Sequence, residues 1–255
     1  MLKKAESRFT REVTMRLSEQ LLLNYVRPRP DARLSDFAGD SYVALVTFAR
    51  DLLGQPGQRL YVQGDNGCGR SHFLAALCAE AEAFGVSAVL LPLGELSQSS
   101  PEVLEGLETQ ALLAFDDVQA IAGNAAWEEA MFHLFNRCLV TGARLVFAAE
   151  ATPPGLGMCL PDLVSRLSLA PLWRLGLPDD ASREALIRAA ALRRGLILEA
   201  DVLRYLVTRA PREPGRLLAC LEVLDRQSLQ AGRRLIIPFV RSLLEVPGQE
   251  AGQGV

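Results

Sequence analysis

The segment Gly64-Asp65-Asn66-Gly67-Cys68-Gly69-Arg70-Ser71 constrains this chain more than any other feature. It stands between an apolar strand candidate, Arg59 to Gln63, and a helical pattern from about Arg70 to Phe84. In that context the pattern G-x-x-x-x-G-K-[ST] acts as a phosphate-binding loop. Its glycines let successive backbone N–H groups curl around an anion, and the dipole of the following helix favours negative charge at its start. Ser71 would offer its hydroxyl to Mg²⁺. Arg70 stands where the pattern has lysine, and a planar guanidinium does not place its charge where an ammonium would. Taken alone, the same residues also read as a glycine turn with a helix cap.

The surrounding order favours the phosphate loop. A helix is predicted from Ser41 to about Leu53. Apolar runs at Ala88–Leu91, Ala111–Phe115 and Arg144–Ala148 then alternate with helical stretches, including Ala125–Leu139. Continuous apolar runs between helices are the signature of strands buried on both faces of a parallel sheet. Ala111–Phe115 runs directly into Asp116-Asp117. In phosphate-loop proteins the first acid at this place holds Mg²⁺ and the second polarises the attacking water. A solvated acidic strand end is the plainer alternative. The next strand ends Phe147-Ala148-Ala149-Glu150, where a hydrolase needs a polar group to orient water. Alanines cannot do this, which leaves Glu150 and Thr152. With Arg70, this argues against self-sufficient ATP hydrolysis.

Past Pro178 helical spacing takes over, through Asp180–Arg194, Glu199–Arg209 and Pro214–Gln230, with a last short helix after Pro238. The predicted organisation is a tail over 1–40, an α/β nucleotide-binding domain over 41–178, a helical domain over 179–246 and a tail over 247–255. Leu160–Leu167 reads as a short helix with Pro161 in its first turn. Arg166 within it is either a surface charge or an arginine finger aimed at a neighbouring subunit's nucleotide. Arg212 and Arg216, at the start of a late helix, either flank it in solvent or reach a phosphate.

Composition excludes several classes. A chain of 255 residues, 49% hydrophobic and 22% charged, can bury a sizeable core and is not intrinsically disordered. It has no run of roughly 18 uncharged apolar residues, so no membrane span is expected. The charged start Met1–Arg8 lacks the apolar stretch of a secretory signal, which points to the cytoplasm. A net charge of −3 gives no global basic field for duplex DNA. Cys68, Cys78, Cys138, Cys159 and Cys220 are scattered and form no C-x-x-C pair, so reduced thiols are expected rather than disulfides or structural zinc.

Several motifs together resemble a known family. The loop Gly64–Ser71 with His72, the strand end Asp116-Asp117-Val118, and Glu129-Ala130-Met131-Phe132-His133-Leu134-Phe135-Asn136 are similar to the AAA+ module of DnaA-like proteins. Gly69-Arg70-Ser71-His72, Ile121-Ala122-Gly123, Leu160-Pro161-Asp162-Leu163 and Ile237-Pro238-Phe239-Val240 resemble the Hda family in particular. The similarity runs from about Gln20 to Leu244. It implies an AAA+ phosphate-loop domain of α/β class with a parallel sheet, followed by a small all-helical lid.

The resemblance also implies roles for single residues. Gly64, Asp65, Asn66, Gly67, Cys68, Gly69, Arg70, Ser71 and His72 would bind ADP or ATP, and the arginine in the loop suits Hda. Ser71 and Asp116 would hold Mg²⁺, and Asp117 would be the second, catalytic acid. Arg166 falls at the family's arginine finger, acting in trans. Arg212 falls at sensor 2, with Arg216 one turn later as the alternative, because Pro214 and Gly215 blur the register. The alanines at the sensor 1 strand end depart from active ATPases.

Partners follow in the same way. Hda proteins carry a short Gln-Leu-x-Leu-Pro-Leu type peptide that docks on the sliding clamp, the DNA polymerase III β subunit. Gln20, Leu21 and Leu23 fit it, whereas Asn24 and Tyr25 depart from the commonest form; Tyr25 would still supply an apolar anchor. An arbitrary apolar turn is the alternative. The second implied partner is DnaA itself, whose bound ATP would be hydrolysed under the influence of this regulator, restraining replication initiation. Self-association is left open. Residues after Leu244 contain no basic helix, so sequence-specific DNA binding is not expected. Met15 is an alternative start to Met1. The rival reading is a DnaA-like ATPase motor or helicase loader acting on DNA.

A buried leucine contributes roughly 1.5–3 kcal/mol in transfer terms, about an order of magnitude in affinity or more. Surface plasmon resonance on immobilised clamp is therefore expected to show no binding by Gln20→Ala with Leu23→Ala, and unchanged binding after truncation to Met15. Wild-type affinity in the double variant would make residues 20–25 a linker only.

Overall fold

The structure, a computed structural model, describes residues 32–232 and 234–244. The expected clamp segment 20–25 and the tail 247–255 lie outside the described residues. The chain divides into two compact units. Among the described residues the first holds 32–34, Leu45–Asn66 and Arg70–Leu175; the second holds Ser35–Ala44, Gly67–Gly69 and everything from Gly176 on.

The first unit is built on a five-stranded parallel sheet of order β2-β3-β4-β1-β5. Its strands are β1 (Arg59–Gln63), β2 (Ala88–Pro92), β3 (Leu112–Asp116), β4 (Arg144–Ala149) and β5 (Leu172–Arg174). Helices α1 (Asp40–Gly54), α2 (Arg70–Ala83), the single-turn α3 (Leu93–Leu96), α4 (Ala125–Thr141) and α5 (Pro161–Leu167) are interspersed, and α1 begins in the second unit. All five residues of β3 are buried, as are the last five of β4. That burial on both faces is why these strands read as continuous apolar runs.

Phe147 sits at the centre of the core, fully buried. It stacks on Phe115 at 5.2 Å between ring centroids and on Phe135 at 6.1 Å, joining β4 to β3 and α4. Asn124 caps α4 through its side chain, and Gly142 ends it in the left-handed conformation that a helix C-terminus favours.

The strand order matters for function. β1 lies between β4 and β5, and β4 also pairs with β3. A parallel sheet sends all carboxyl ends to one edge, so Gly64, Asp117 and Glu150 emerge side by side. Crevices at such strand ends are where open α/β sheets bind ligands.

The structure differs from the spacing-based expectation in three places. β5 was not expected, because its three residues are an edge strand with Leu172 and Arg174 exposed. β3 spans Leu112–Asp116, so the strand expected from Ala111 to end in both acids starts one residue later and includes only the first acid. The last helix begins at Ile237, with Pro238 inside its first turn, where a missing N–H costs nothing.

The second unit contains α6 (Asp180–Arg193), α7 (Ala200–Arg209), α8 (Pro214–Ala231) and α9 (Ile237–Leu244). Leu186, Ile187, Leu203, Leu206, Leu217 and Leu221 form the heart of its core. Asp179 caps α6 by accepting from the Ser182 N–H at 2.7 Å. Arg183 is 1% exposed, and its guanidinium donates to the carbonyls of Val207, Ala210 (2.7 Å) and Pro211 (3.3 Å). A positive charge there satisfies the carbonyls at the end of α7 and complements its dipole.

Removing such a buried donor set strands several carbonyls. Arg183→Met is expected to lower unfolding free energy by about 2–4 kcal/mol, read from urea transitions followed by circular dichroism. A change within about 0.5 kcal/mol, the usual range for inert surface substitutions, would mean that Arg183 does not fasten this unit.

Candidate nucleotide site and arginine-bearing helices

At the start of the phosphate loop, the Gly64 N–H donates to the Ala149 carbonyl at 3.1 Å and ties β1 to the end of β4. Gly67 and Gly69 have φ of +80° and +108°, a region strained for any side chain. In the second unit, a Cβ on Gly67 would lie 2.5 Å from Glu213 Cγ, so both conformation and space require glycine there. Cys68 and His72 are buried, whereas Asp65 and Asn66 are exposed.

Arg70 opens α2, and only 5% of it is exposed. Its guanidinium donates to the Gly64 carbonyl, to Asp117 Oδ1 at 3.2 Å and to Asn66 Oδ1 at 3.5 Å, and lies 3.7 Å from Glu150 Oε1. One side chain thus joins the ends of β1, β3 and β4. Gln119 completes the arrangement: its Nε2 donates to Asp117 Oδ1 at 2.9 Å, and its Oε1 accepts from the Glu150 N–H at 3.3 Å. Asp117 is the only non-glycine residue with positive φ among the described residues, at 53°. Left-handed backbone at such a residue costs about 1–3 kcal/mol and persists only where its surroundings hold it. Here the hydrogen bonds from Arg70 and Gln119 do so.

Asp116 is 5% exposed. Burial pushes its carboxyl above the usual range, opposed by a hydrogen bond from the Ser71 side chain; the neighbouring Asp117 charge raises it further. The backbone N–H of Asp117 also donates to Asp116 Oδ1, at 3.0 Å. The two residues expected to hold Mg²⁺ therefore bond to each other, while Asp117 and Glu150 face a guanidinium. Among the described residues no group of three histidine, cysteine, aspartate or glutamate side chains converges on a metal position. Asp117 and Glu150 are engaged by Arg70, which leaves Asp116, itself bonded to Ser71, as the carboxylate for an ion that ordinarily takes one or two carboxylates together with phosphate and water oxygens.

Arg166 lies in the last turn of α5, half-buried, and its guanidinium forms no ion pair among the described residues. In the second unit Arg212 is exposed, and Arg216 pairs with Glu213 at 3.0 Å. Alanines Ala148 and Ala149 are fully buried at the end of β4. Glu150, one of two polar residues left to orient water there, faces Arg70 instead.

Sequence reasoning missed Glu128, which is fully buried in α4. Its carboxylate accepts from the N–H groups of Gly123 (2.7 Å), Cys159 (3.1 Å) and Leu160 (2.7 Å). It thereby pins the entry to α5, the helix that carries Arg166. An acid in the first turn of a helix ordinarily signals only a favourable dipole interaction, so its sequence position gave no hint of this job. Gln119 was missed as well, and only its nearness to Asp117 hinted at it.

Comparison with known proteins is consistent with this architecture. A family model described as "Hda, lid domain" matches residues 179–244. A Haemophilus influenzae protein described as uncharacterized is 37% identical over 218 residues, covering 85% of this chain and 94% of its own. Among solved structures, domain III of the Thermotoga maritima replication initiation protein DnaA superposes with a TM-score of 0.73 at 21% identity, over 86% of this chain and 97% of that one. AMPPCP-bound DnaA from Aquifex aeolicus gives a TM-score of 0.66 at 21% identity, over 80% and 68%.

Glutamine at position 128 keeps the size of the side chain but replaces one acceptor oxygen with a donor facing an N–H. Glu128→Gln is expected to destabilise the first unit by about 2–4 kcal/mol and to speed amide hydrogen exchange at Cys159–Val164 selectively. Unchanged exchange there would mean that Glu128 does not position α5.

Proposed function

We propose that this chain, whose residues 179–244 match the lid domain of Hda, is an Hda-type, adenine-nucleotide-binding regulator of replication initiation. It acts with the DNA-loaded sliding clamp to stimulate hydrolysis of ATP bound to DnaA. The observation that carries this reading is the contrast between two arginines. Arg70 is closed onto the acids of its own site, whereas Arg166 has no ion-pair partner among the described residues and sits on a helix held in place by a buried carboxylate.

Within its own site the chain is built to hold a nucleotide rather than to turn it over. The loop backbone supplies N–H donors for phosphate. The acid that would polarise water is tied to Arg70 and Gln119, and the strand end beside it carries alanines. The AMPPCP bound to the Aquifex aeolicus DnaA supports adenine as the base, and ADP suits a site whose second acid is tied to Arg70 and Gln119. Of the two sensor 2 candidates Arg212 is preferred, since Arg216 is engaged by Glu213.

Arg166 is proposed to act in trans. An arginine delivered to a partner's site stabilises the charge that spreads over the transferring phosphoryl group, an effect of about 10³–10⁵ in rate. The segment Gln20–Tyr25 would tether the protein to the clamp, raising its effective concentration near DnaA. Among the described residues no helix is long and apolar enough to cross a membrane.

Arg166→Ala is expected to keep ADP binding by calorimetry and clamp binding, yet to lose on the order of 10³ or more of the stimulation of DnaA's ATPase on clamp-loaded DNA. Full stimulation by the variant would place the finger elsewhere.

A further inference from the structure

We infer that Arg70 is the resident cation of the phosphate site, so that this chain binds nucleoside diphosphate without Mg²⁺. The inference deepens, and rests on, the nucleotide-binding reading above.

Its basis is the position of one guanidinium. Arg70 is almost wholly buried, bonded to the Gly64 carbonyl and Asp117, and 3.7 Å from Glu150. Those two carboxylates, with Asp116, are the anions that would otherwise draw a divalent ion to the strand ends. A lysine carries its three donors on one nitrogen, whereas here two separate guanidinium nitrogens meet the acceptors. Arginine presents five N–H donors in a rigid fork and keeps its charge at any accessible pH. The fork here bonds the strand ends through both terminal nitrogens, and its fixed charge stays at the loop.

The remaining Mg²⁺ ligand candidates support the same conclusion. Ser71 and Asp116 are hydrogen-bonded to each other, and the buried Asp116 also accepts from the Asp117 N–H. Mg²⁺ sites usually combine one or two carboxylates with substrate phosphates and several waters. The Arg70 guanidinium beside Asp117 and Glu150 offsets the negative charge that would draw a divalent ion to the strand ends. A diphosphate brings its own negative charge to a loop of N–H donors beside a fixed positive one, a pairing that needs no metal bridge.

The test is calorimetric titration of the full chain with ADP, once with Mg²⁺ and once with EDTA, repeated for Arg70→Lys. The wild-type dissociation constant is expected to differ by less than about threefold between buffers, and that of Arg70→Lys to worsen by about tenfold or more in EDTA. A larger wild-type loss in EDTA overturns the inference and leaves nucleotide binding standing. Wild type binding ADP in neither buffer overturns both. Should Arg70→Lys bind ADP equally in the two buffers, the metal independence has another origin and the assignment to Arg70 fails. The wild-type comparison decides by itself if the lysine variant does not fold.

Discussion

The bond network of one buried guanidinium organises the site. A charge with 5% exposure is costly to desolvate, and its burial is tolerated only because acceptors surround it. The Gly64 carbonyl, Asp117 and Glu150 each follow the end of a different strand, brought to one edge by the parallel order β3-β4-β1. The sheet places the acceptors, and the arginine fixes what the loops beyond it can do. Asp117 holds a left-handed backbone against that guanidinium and Gln119, so the acid that a hydrolase would use to activate water is committed to structure.

Two further buried charges do comparable work. Glu128 in the first unit and Arg183 in the second are both fully buried, and each is satisfied mainly by backbone groups. Each fixes the approach to a segment bearing an arginine: Glu128 the entry to α5 with Arg166, and Arg183 the turn before Arg212. Charge-assisted bonds to backbone are stronger than neutral ones and are directional. They are suited to holding a backbone segment in one place.

Much of this fold was legible in the sequence, for reasons that differ by element. β1, β3 and β4 announced themselves as unbroken apolar runs because both of their faces are buried. The second unit's helices were legible through the helical spacing that takes over past Pro178. β5 was not legible: three residues at a sheet edge, two of them exposed, carry neither alternation nor a continuous apolar run. The glycine loop and Asp116-Asp117 could be named from residue types in order. What Arg70 touches could not, because Glu150 lies eighty residues further along and only the strand order makes the two neighbours. Glu128 looked like an ordinary first-turn acid, and nothing local marks it as buried.

The central claim is that this chain holds a nucleotide and does not consume it. Steady-state measurement of phosphate release from ATP by the protein alone, with and without single-stranded DNA, tests that claim most directly. The account predicts release no faster than the protein-free background in both conditions, from protein shown to bind ADP in the same buffer. Sustained turnover, above all turnover stimulated by DNA, would contradict it and identify an ATPase motor instead.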